Sequence, residues 1–499
     1  MPDSADDAPD QRLHPWSWLF ELQQHLQQFL LPLVALLFFG SRRQDGEWPF
    51  HLVTLAVLLA MTGSALLQYL TYRYRIGSDA LTVRSGILER TRREIPFARI
   101  HNVVVHQNLL HRLFGVAELR LESAAGDKPE AQMRVLRLAQ ALELERLIRQ
   151  GGESAPAAAD SVPAAPAPLL ELPLPELVRL GLISNRALVV AAAACGAIWQ
   201  MFPRDVAEEF VRDQGRQAVG YASQLQLGAV PLAGTVALVL VAGLLLMALM
   251  SIALAIVQYH GFRLSEAERR LTVERGLLSR SRSSVAQRRI QAWTLREGML
   301  HRLFRRRQLR VDIASGGGQE QQGRALKELV PVAAPAACDA LLQHLLPAVQ
   351  WPPARWQAVS MRGWWRLCLP ALVTVAAVTA LGCRQFGAWG LLPLLWLPWS
   401  ALHAHRQVAR MGYSIDSRRV AIRGGWWSRW WRVAELDKLQ ALRLDRSPLD
   451  HCFGTATLTL DTAGASGSPP LRLHFLEAAR ARELMEQLGQ EMARRRLRW

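Results

Sequence analysis

Lysine is almost missing from this sequence. It occurs only at Lys128, Lys327 and Lys438, so the formal net charge of +17 is carried by arginine. A strongly basic chain points to an anionic membrane surface or a nucleic acid as its partner. Cysteine is sparse and scattered. Cys195, Cys338, Cys368, Cys383 and Cys452 include no CxxC pair, which argues against a disulfide framework and a cysteine-based zinc site. Catalytic signatures are missing as well. No GxSxG, GxxxxGK[ST], HExxH or helix-opening GxGxxG occurs, and those spacings would seat a nucleophile, cradle a phosphate or hold a metal. His101 and His106 need not share a face, and His403 and His405 have no third ligand nearby. Gly316-Gly317-Gly318 reads as a loop. The expectation is no catalytic residue, no metal, no cofactor and no enzymatic activity. The acidic start, PDSADDAPD, has no basic stretch leading into an apolar one, so no cleaved signal peptide is expected and the first apolar block should act as an anchor.

What the sequence does have is apolar residues, 50% of the total, against 20% charged. They lie in six blocks, at about 28–40, 50–70, 186–202, 228–258, 367–382 and 387–402. A bilayer core takes about 20 residues of helix. The blocks come in pairs, and a long polar region follows each pair. The chain therefore divides into an acidic tail (1–24), a hairpin of spans (25–70), a first soluble domain (71–150) and an Ala/Pro linker (151–170). Then come an interfacial helix with the second hairpin (171–258), a second domain (259–350), a third hairpin (351–403) and a third domain (404–499). Leu174, Leu177, Val178 and Leu182 stand at helical spacing, which suits an interfacial helix or one packed on the domain. Arg73, Arg75, Arg263, Arg406 and Arg410 flank the spans on the domain side. Basic flanks stay in the cytoplasm, so both termini and all three domains should be cytoplasmic, on a bacterial inner membrane. The span centres carry almost no ionisable side chain, which argues against a transport path.

The three polar regions are repeats. Each opens on an aromatic: Tyr74, Phe262, Tyr413. Each then has a glycine and an apolar pair: Gly86-Ile87-Leu88, Gly276-Leu277-Leu278, Gly425-Trp426-Trp427. Fourteen residues after the glycine stand Ile100, Ile290 and Leu439, and fourteen further on Phe114, Phe304 and Phe453. Leu81-Thr82-Val83, Leu271-Thr272-Val273 and Val420-Ala421-Ile422 alternate as half-buried strands running into a turn at the glycine. The tetrapeptide His-Arg-Leu-Phe occurs at 111–114 and 301–304. It reads as one helical turn, with Leu110, Leu113 and Phe114 facing the core and the His-Arg pair facing water. Each region closes with an amphipathic helix.

The run YRIGSDALTVRSGILERTRREIPFARIHNVVVHQNLLHRLFGVAELRLESAAG resembles the bacterial pleckstrin-homology-type domain of the YdbS/YdbT family of membrane proteins. The triplicated plan resembles the family's longer members. That resemblance implies three all-β, seven-stranded, helix-capped barrels on α-helical membrane hairpins, and no known reaction.

The remaining candidates are basic and aromatic. Arg90, Arg92 and Arg93 follow the first turn, Arg280, Arg282, Arg288 and Arg289 the second. Trp426, Trp427, Arg429, Trp430, Trp431 and Arg432 follow the third. Arginine beside tryptophan near a span suits anionic headgroups. The expected function is a non-enzymatic inner-membrane scaffold whose domains bind a protein partner, another copy of the chain or anionic lipid. A component of a transport, export or envelope-stress (peptide-resistance) system is the alternative. Nucleic acid is not an expected partner, because the basic residues gather near spans rather than along one recognition helix.

Overall fold

The computed structural model describes residues 11–12, 14–20, 71–77, 80–86, 90–123, 131–149, 168–184, 229–313, 328–347, 350–462 and 471–494, with isolated positions between them. The first apolar block, most of the second and third, residues 151–167 of the linker, and Ile87 and Leu88 lie outside the described residues.

Copy one comprises β1 (Gln11–Arg12), β2 (Arg73–Ile76), β3 (Ala80–Ser85), β4 (Thr91–Pro96) and β5 (Ile100–Gln107). The short α1 (Leu109–Leu113), β6 (Val116–Ser123), β7 (Ala131–Arg137) and α2 (Leu138–Arg149) follow. Copy two has β8 (Pro168–Glu171), α3 (Leu174–Ile183), the long α4 (Ala229–Tyr259), β9 (Arg263–Ala267), β10 (Arg270–Arg275), β11 (Arg280–Ala286) and β12 (Ile290–Glu297). It ends with α5 (Met299–Leu303), β13 (Arg307–Ile313), β14 (Val330–Ala333) and α6 (Pro335–Leu345). Copy three has β15 (Gln357–Ala358), α7 (Trp364–Phe386), α8 (Trp396–Arg410), β16 (Gly412–Ile415), β17 (Arg419–Gly424) and β18 (Arg429–Glu435). Then come β19 (Leu439–Asp445), α9 (Pro448–Phe453), β20 (Thr455–Thr462), β21 (Leu471–Glu477) and α10 (Ala478–Arg494).

Alternation sets the strand faces. Leu81 and Val83 of β3, and Leu271 and Val273 of β10, point into their cores, as period-two strands require. The landmark glycines end these strands with positive φ: 99° at Gly86, 117° at Gly276 and 83° at Gly425. Ile100, Ile290 and Leu439 are buried as the next strand begins. The closing helices bury matching stripes: Ala141, Leu144 and Ile148; Cys338, Leu341 and Leu345; Ala481, Leu484 and Leu488. That is the face a helix presents to a sheet. Each fully buried leucine stabilises its copy by roughly 1.5–3 kcal/mol.

Each copy does hold seven strands, but they do not close into a barrel. The first four and the last three are separate sheets, and the outer strand of one copy pairs with the next copy. One sheet runs β7-β6-β5-β11-β10-β9-β8, another β14-β13-β12-β18-β17-β16-β15. The closed barrel implied by the resemblance is thus replaced by a row of copies whose sheets continue into one another. One strand of each seven also comes from ahead of that copy's apolar blocks. Gln11–Arg12 of the acidic tail pairs with β2, Pro168–Glu171 at the end of the linker pairs with β9, and Gln357–Ala358 pairs with β16.

Two stretches of the described residues are long and apolar enough to span a bilayer, Ala237–Tyr259 and Met361–Arg410. The second holds α7 and α8, which fold back on each other. Gly387 at the reversal takes φ of 59°, and a Cβ on Gly390 would sit 2.1 Å from the Cys383 nitrogen. Helix α3 packs on α4: Gly181 lies against Ile252, and the Ser251 hydroxyl donates to the carbonyl of Gly181 or of Ser184. Its Leu177, Leu180 and Ile183 join the copy-two core while Leu174 and Leu182 stay exposed.

Candidate membrane-facing site

In copies two and three the glycine turn meets the apolar helix that precedes the domain. A helix leaves its last carbonyls without intrahelical partners. In copy two the turn between β10 and β11 supplies them: Gly276 N–H donates to the His260 carbonyl and Leu277 N–H to that of Val257, each at 2.9 Å. In copy three the equivalent turn packs its indoles on the first two turns of α8. Trp426 and Trp427 lie about 6 Å from Trp399, at 6.0 and 5.9 Å, and Trp426 lies 5.6 Å from His403.

The preceding copy adds its helical turn at the same place. Arg112 of α1 donates to the Leu277 carbonyl at 2.9 Å, and Ser279 lies 3.2 Å from His106. These turns carry their apolar side chains outward. Leu113 is 77% exposed and Leu303 74%, with Leu109, Leu110, Met299, Leu300 and Leu449 also open. This corrects the inward-facing reading of the tetrapeptide. Leu110 and Leu113 face out, while His111 is buried at 6%. Its ring lies 4.2 Å from Phe20 and its Nδ1 bonds the Asn108 side chain. Phe114 is half-buried, stacked on Trp16 at 4.7 Å, and Phe304 packs on the copy-two core. The sequence pattern misled because a five-residue helix after a strand is oriented by its cap, not by its apolar spacing. Exposed leucines gathered beside a span end suit the apolar edge of a headgroup layer.

At the junction of copies two and three the turn meets a group of arginines. Arg302 of α5, Arg423 of β17 and Arg429 of β18 all act electrostatically on Arg410 at the end of α8, with Glu297 the one acid that opposes them. Glu297 stands opposite Arg429 across the strand pair and already bonds Arg307 at 3.1 Å. The Nε atoms of Arg423 and Arg429 are buried and find no hydrogen-bond partner among the described residues. Burial lowers the pKa of the Arg423 guanidinium, which lies over the Trp356 ring at 4.8 Å. The first junction has an acid at the corresponding place. There Glu274 takes Arg282 at 3.4 Å and Arg280 at 3.8 Å.

Several expected lipid- or partner-facing residues instead meet a neighbouring copy. Arg282 reaches Glu145 of copy one at 3.6 Å. Trp431 lies under the Arg307 guanidinium at 4.6 Å, and Arg432 pairs with Asp312. Trp430 packs into the copy-three core against Gly424. Arg288 and Arg289 occupy the turn before β12. Burial and the guanidiniums of Arg288 and Arg270 push Arg289 down to about 10, still charged at neutral pH. Arg90, Arg92 and Arg93 are exposed at the outer edge of copy one. Trp426, Trp427 and Arg429 are the expected residues that come together near a span. Arg423 was not singled out from sequence, because it reads as one more outward position of an alternating strand.

Among the described residues no group of three His, Cys, Asp or Glu could hold a metal. His403 and His405 lie against different rings, Trp426 and Trp364. Burial pushes the Cys338 thiol up to about 12, which leaves it uncharged and a poor nucleophile.

The family described as bacterial PH domain matches residues 28–151, 223–346 and 368–492. The chain is a bacterial PH-domain protein. It is 20% identical over 441 residues to the UPF0699 transmembrane protein YdbT of Bacillus subtilis (strain 168), across 87% of this chain and 89% of that one. No solved structure matches. Each family match takes in apolar sequence together with the domain that follows. The strands β1, β8 and β15 lie outside all three matches.

Proposed function

We propose that this bacterial PH-domain membrane protein is a non-enzymatic scaffold of the cytoplasmic membrane. Six spans, paired as three hairpins, hold a row of PH-like copies on the cytoplasmic side, and the span-facing edge of that row engages anionic headgroups. The observation that carries this is the arginine group at the second junction. Four guanidiniums against one shared carboxylate, two with buried Nε atoms that find no partner among the described residues, lie close in sequence to a tryptophan cluster packed on α8. Guanidinium forks match phosphate oxygens, and indoles favour the interface. The exposed leucines of α1 and α5 add apolar contact on the same side.

The test uses the full chain in nanodiscs of mixed phosphatidylcholine and phosphatidylglycerol, with retained lipid counted by mass spectrometry. The wild type is expected to enrich phosphatidylglycerol. The double variant Arg423→Gln, Arg429→Gln should lose most of that enrichment, while Arg443→Gln, away from the spans, keeps it. Equal enrichment in all three would overturn the headgroup reading.

A further inference from the structure

The two junctions inside the chain are one junction used twice. Copies one and two are offset by 190 residues (Gly86 to Gly276), copies two and three by 149 (Gly276 to Gly425). In the first junction β11 pairs with β5, Arg280 opposite Gln107 and Arg282 opposite Val105. In the second β18 pairs with β12, Arg429 opposite Glu297 and Trp431 opposite Leu295. With those offsets the two registers are identical. Each copy thus carries two complementary edges, the fourth strand and the fifth. A row of three copies leaves one of each over: β4 on copy one and β19 on copy three. Among the described strands nothing pairs with the outer side of either. Thr91, Arg92, Arg93 and Glu94 are exposed on β4, and Gln440, Ala441 and Arg443 on β19.

The side chains on these edges repeat the chemistry of the second junction. There Arg432 crosses to Asp312, which lies one strand further in and opposite Ala292. The equivalent positions at the free ends are Arg93 and Asp461, and Asp461 lies exposed opposite Ala441 in the same way. Continuing the register sets Arg92 against Leu444 and Arg93 against Arg443. Arg443 is already held by Asp445 at 2.7 Å, so two arginines would meet two aspartates. Charged side chains also keep an open edge from pairing with arbitrary strands.

We propose that the free edges pair with each other between two copies of the chain, β4 of one against β19 of the next, with Arg93 facing Asp461. The contact is head to tail. It therefore propagates, and it closes into a ring if its rotation permits. It deepens the scaffold reading but does not rest on the headgroup site, so its test is read in neutral lipid.

Full-length chains with Cys195, Cys383 and Cys452 changed to serine carry either Arg92→Cys or Leu444→Cys. The two forms, differently tagged, are co-expressed, reconstituted in phosphatidylcholine vesicles and mildly oxidised. Directly opposite strand positions bring Cβ atoms to about 5 Å, within reach of a disulfide. A crosslinked dimer of the two forms is expected, with none from either form alone. Arg92→Cys with Arg443→Cys, on opposite faces, should give none. Adding Arg93→Asp to the first form, or Asp461→Arg to the second, should lower the yield about tenfold by setting like charges together, and adding both should restore it. No dimer in the mixture, equal dimer from one form alone, or no restoration by the exchanged pair would overturn the proposal.

Discussion

The third position of the short turn helix is His111 in copy one, His301 in copy two and Asp450 in copy three. The residue that caps that helix changes in step: Asn108, Gly298 and Ser447. In copy three the exchange is reciprocal, Ser447 accepting from the Asp450 N–H while Asp450 accepts from the Ser447 N–H and hydroxyl. Asp450, 2% exposed, also receives the Thr455 hydroxyl at 2.8 Å and Arg366 of α7 at 2.7 Å. Burial alone would raise its pKa, but hydrogen bonds from Ser447, Thr455 and Arg366 outweigh that and hold it below the ordinary carboxylate value. A carboxylate with a depressed folded pKa stabilises the fold above the unfolded pKa and loses that contribution as pH falls through the folded one. Asp450→Asn should therefore cost about 2 kcal/mol at neutral pH, the scale of a hydrogen bond to a charged group. The gap in Tm between variant and wild type, measured in detergent, should close as the pH falls below 3.8, the ordinary value for aspartate. A gap as wide at pH 3 as at pH 7 would show that the charge is not what Asp450 contributes.

At the scale of elements, the Gly276 turn both reverses a strand and caps the end of α4. Gly276 has φ of 117°, and a Cβ there would meet the Ser279 carbonyl oxygen at 1.9 Å. Gly276→Ala should cost about 1–3 kcal/mol and speed hydrogen exchange at the Leu277 amide, whose acceptor is the last turn of α4. Gly261 also has positive φ, 63°, but open space around it, so Gly261→Ala should leave that amide protected. If both variants exchange alike, the turn does not hold the span end. These glycines were legible in the sequence because positive φ restricts the residue type, and so were the buried strand faces and the closing helices. The pairing between copies was not. Backbone hydrogen bonds leave little trace in side chains, and RSRSSVA of β11 reads like any solvated strand. The two-residue strands β1 and β15 are too short to show a period. The arginine group was half legible: Arg429 stood beside its tryptophans, but only folding brings Arg302 to Arg410 and Arg423.

At the scale of the whole molecule, the strand ahead of each pair of apolar blocks constrains the proposed topology. Gln11–Arg12 pairs with β2, Pro168–Glu171 with β9 and Gln357–Ala358 with β16. In each case the partner strand follows the intervening apolar sequence, so the chain enters and leaves that sequence at points one strand apart. If that apolar sequence crosses the bilayer as proposed, it must return to the side it left. The same strands join one copy to its own apolar sequence, while β5–β11 and β12–β18 join the copies to one another, so the proposed topology sets all three on one side. The arginines flanking the spans favour the cytoplasm as that side. In a background without Cys195, Cys383 and Cys452, which keeps Cys338 and Cys368 and serves as the blank, one added cysteine at Arg93, Glu268 or Asp461 should react with a membrane-impermeant maleimide in inverted vesicles. It should stay unlabelled in spheroplasts. A cysteine at Glu47, between the first two apolar blocks, should show the opposite pattern. Labelling of the three domain sites from different sides would break the row of copies, since no strand pair can form across a bilayer.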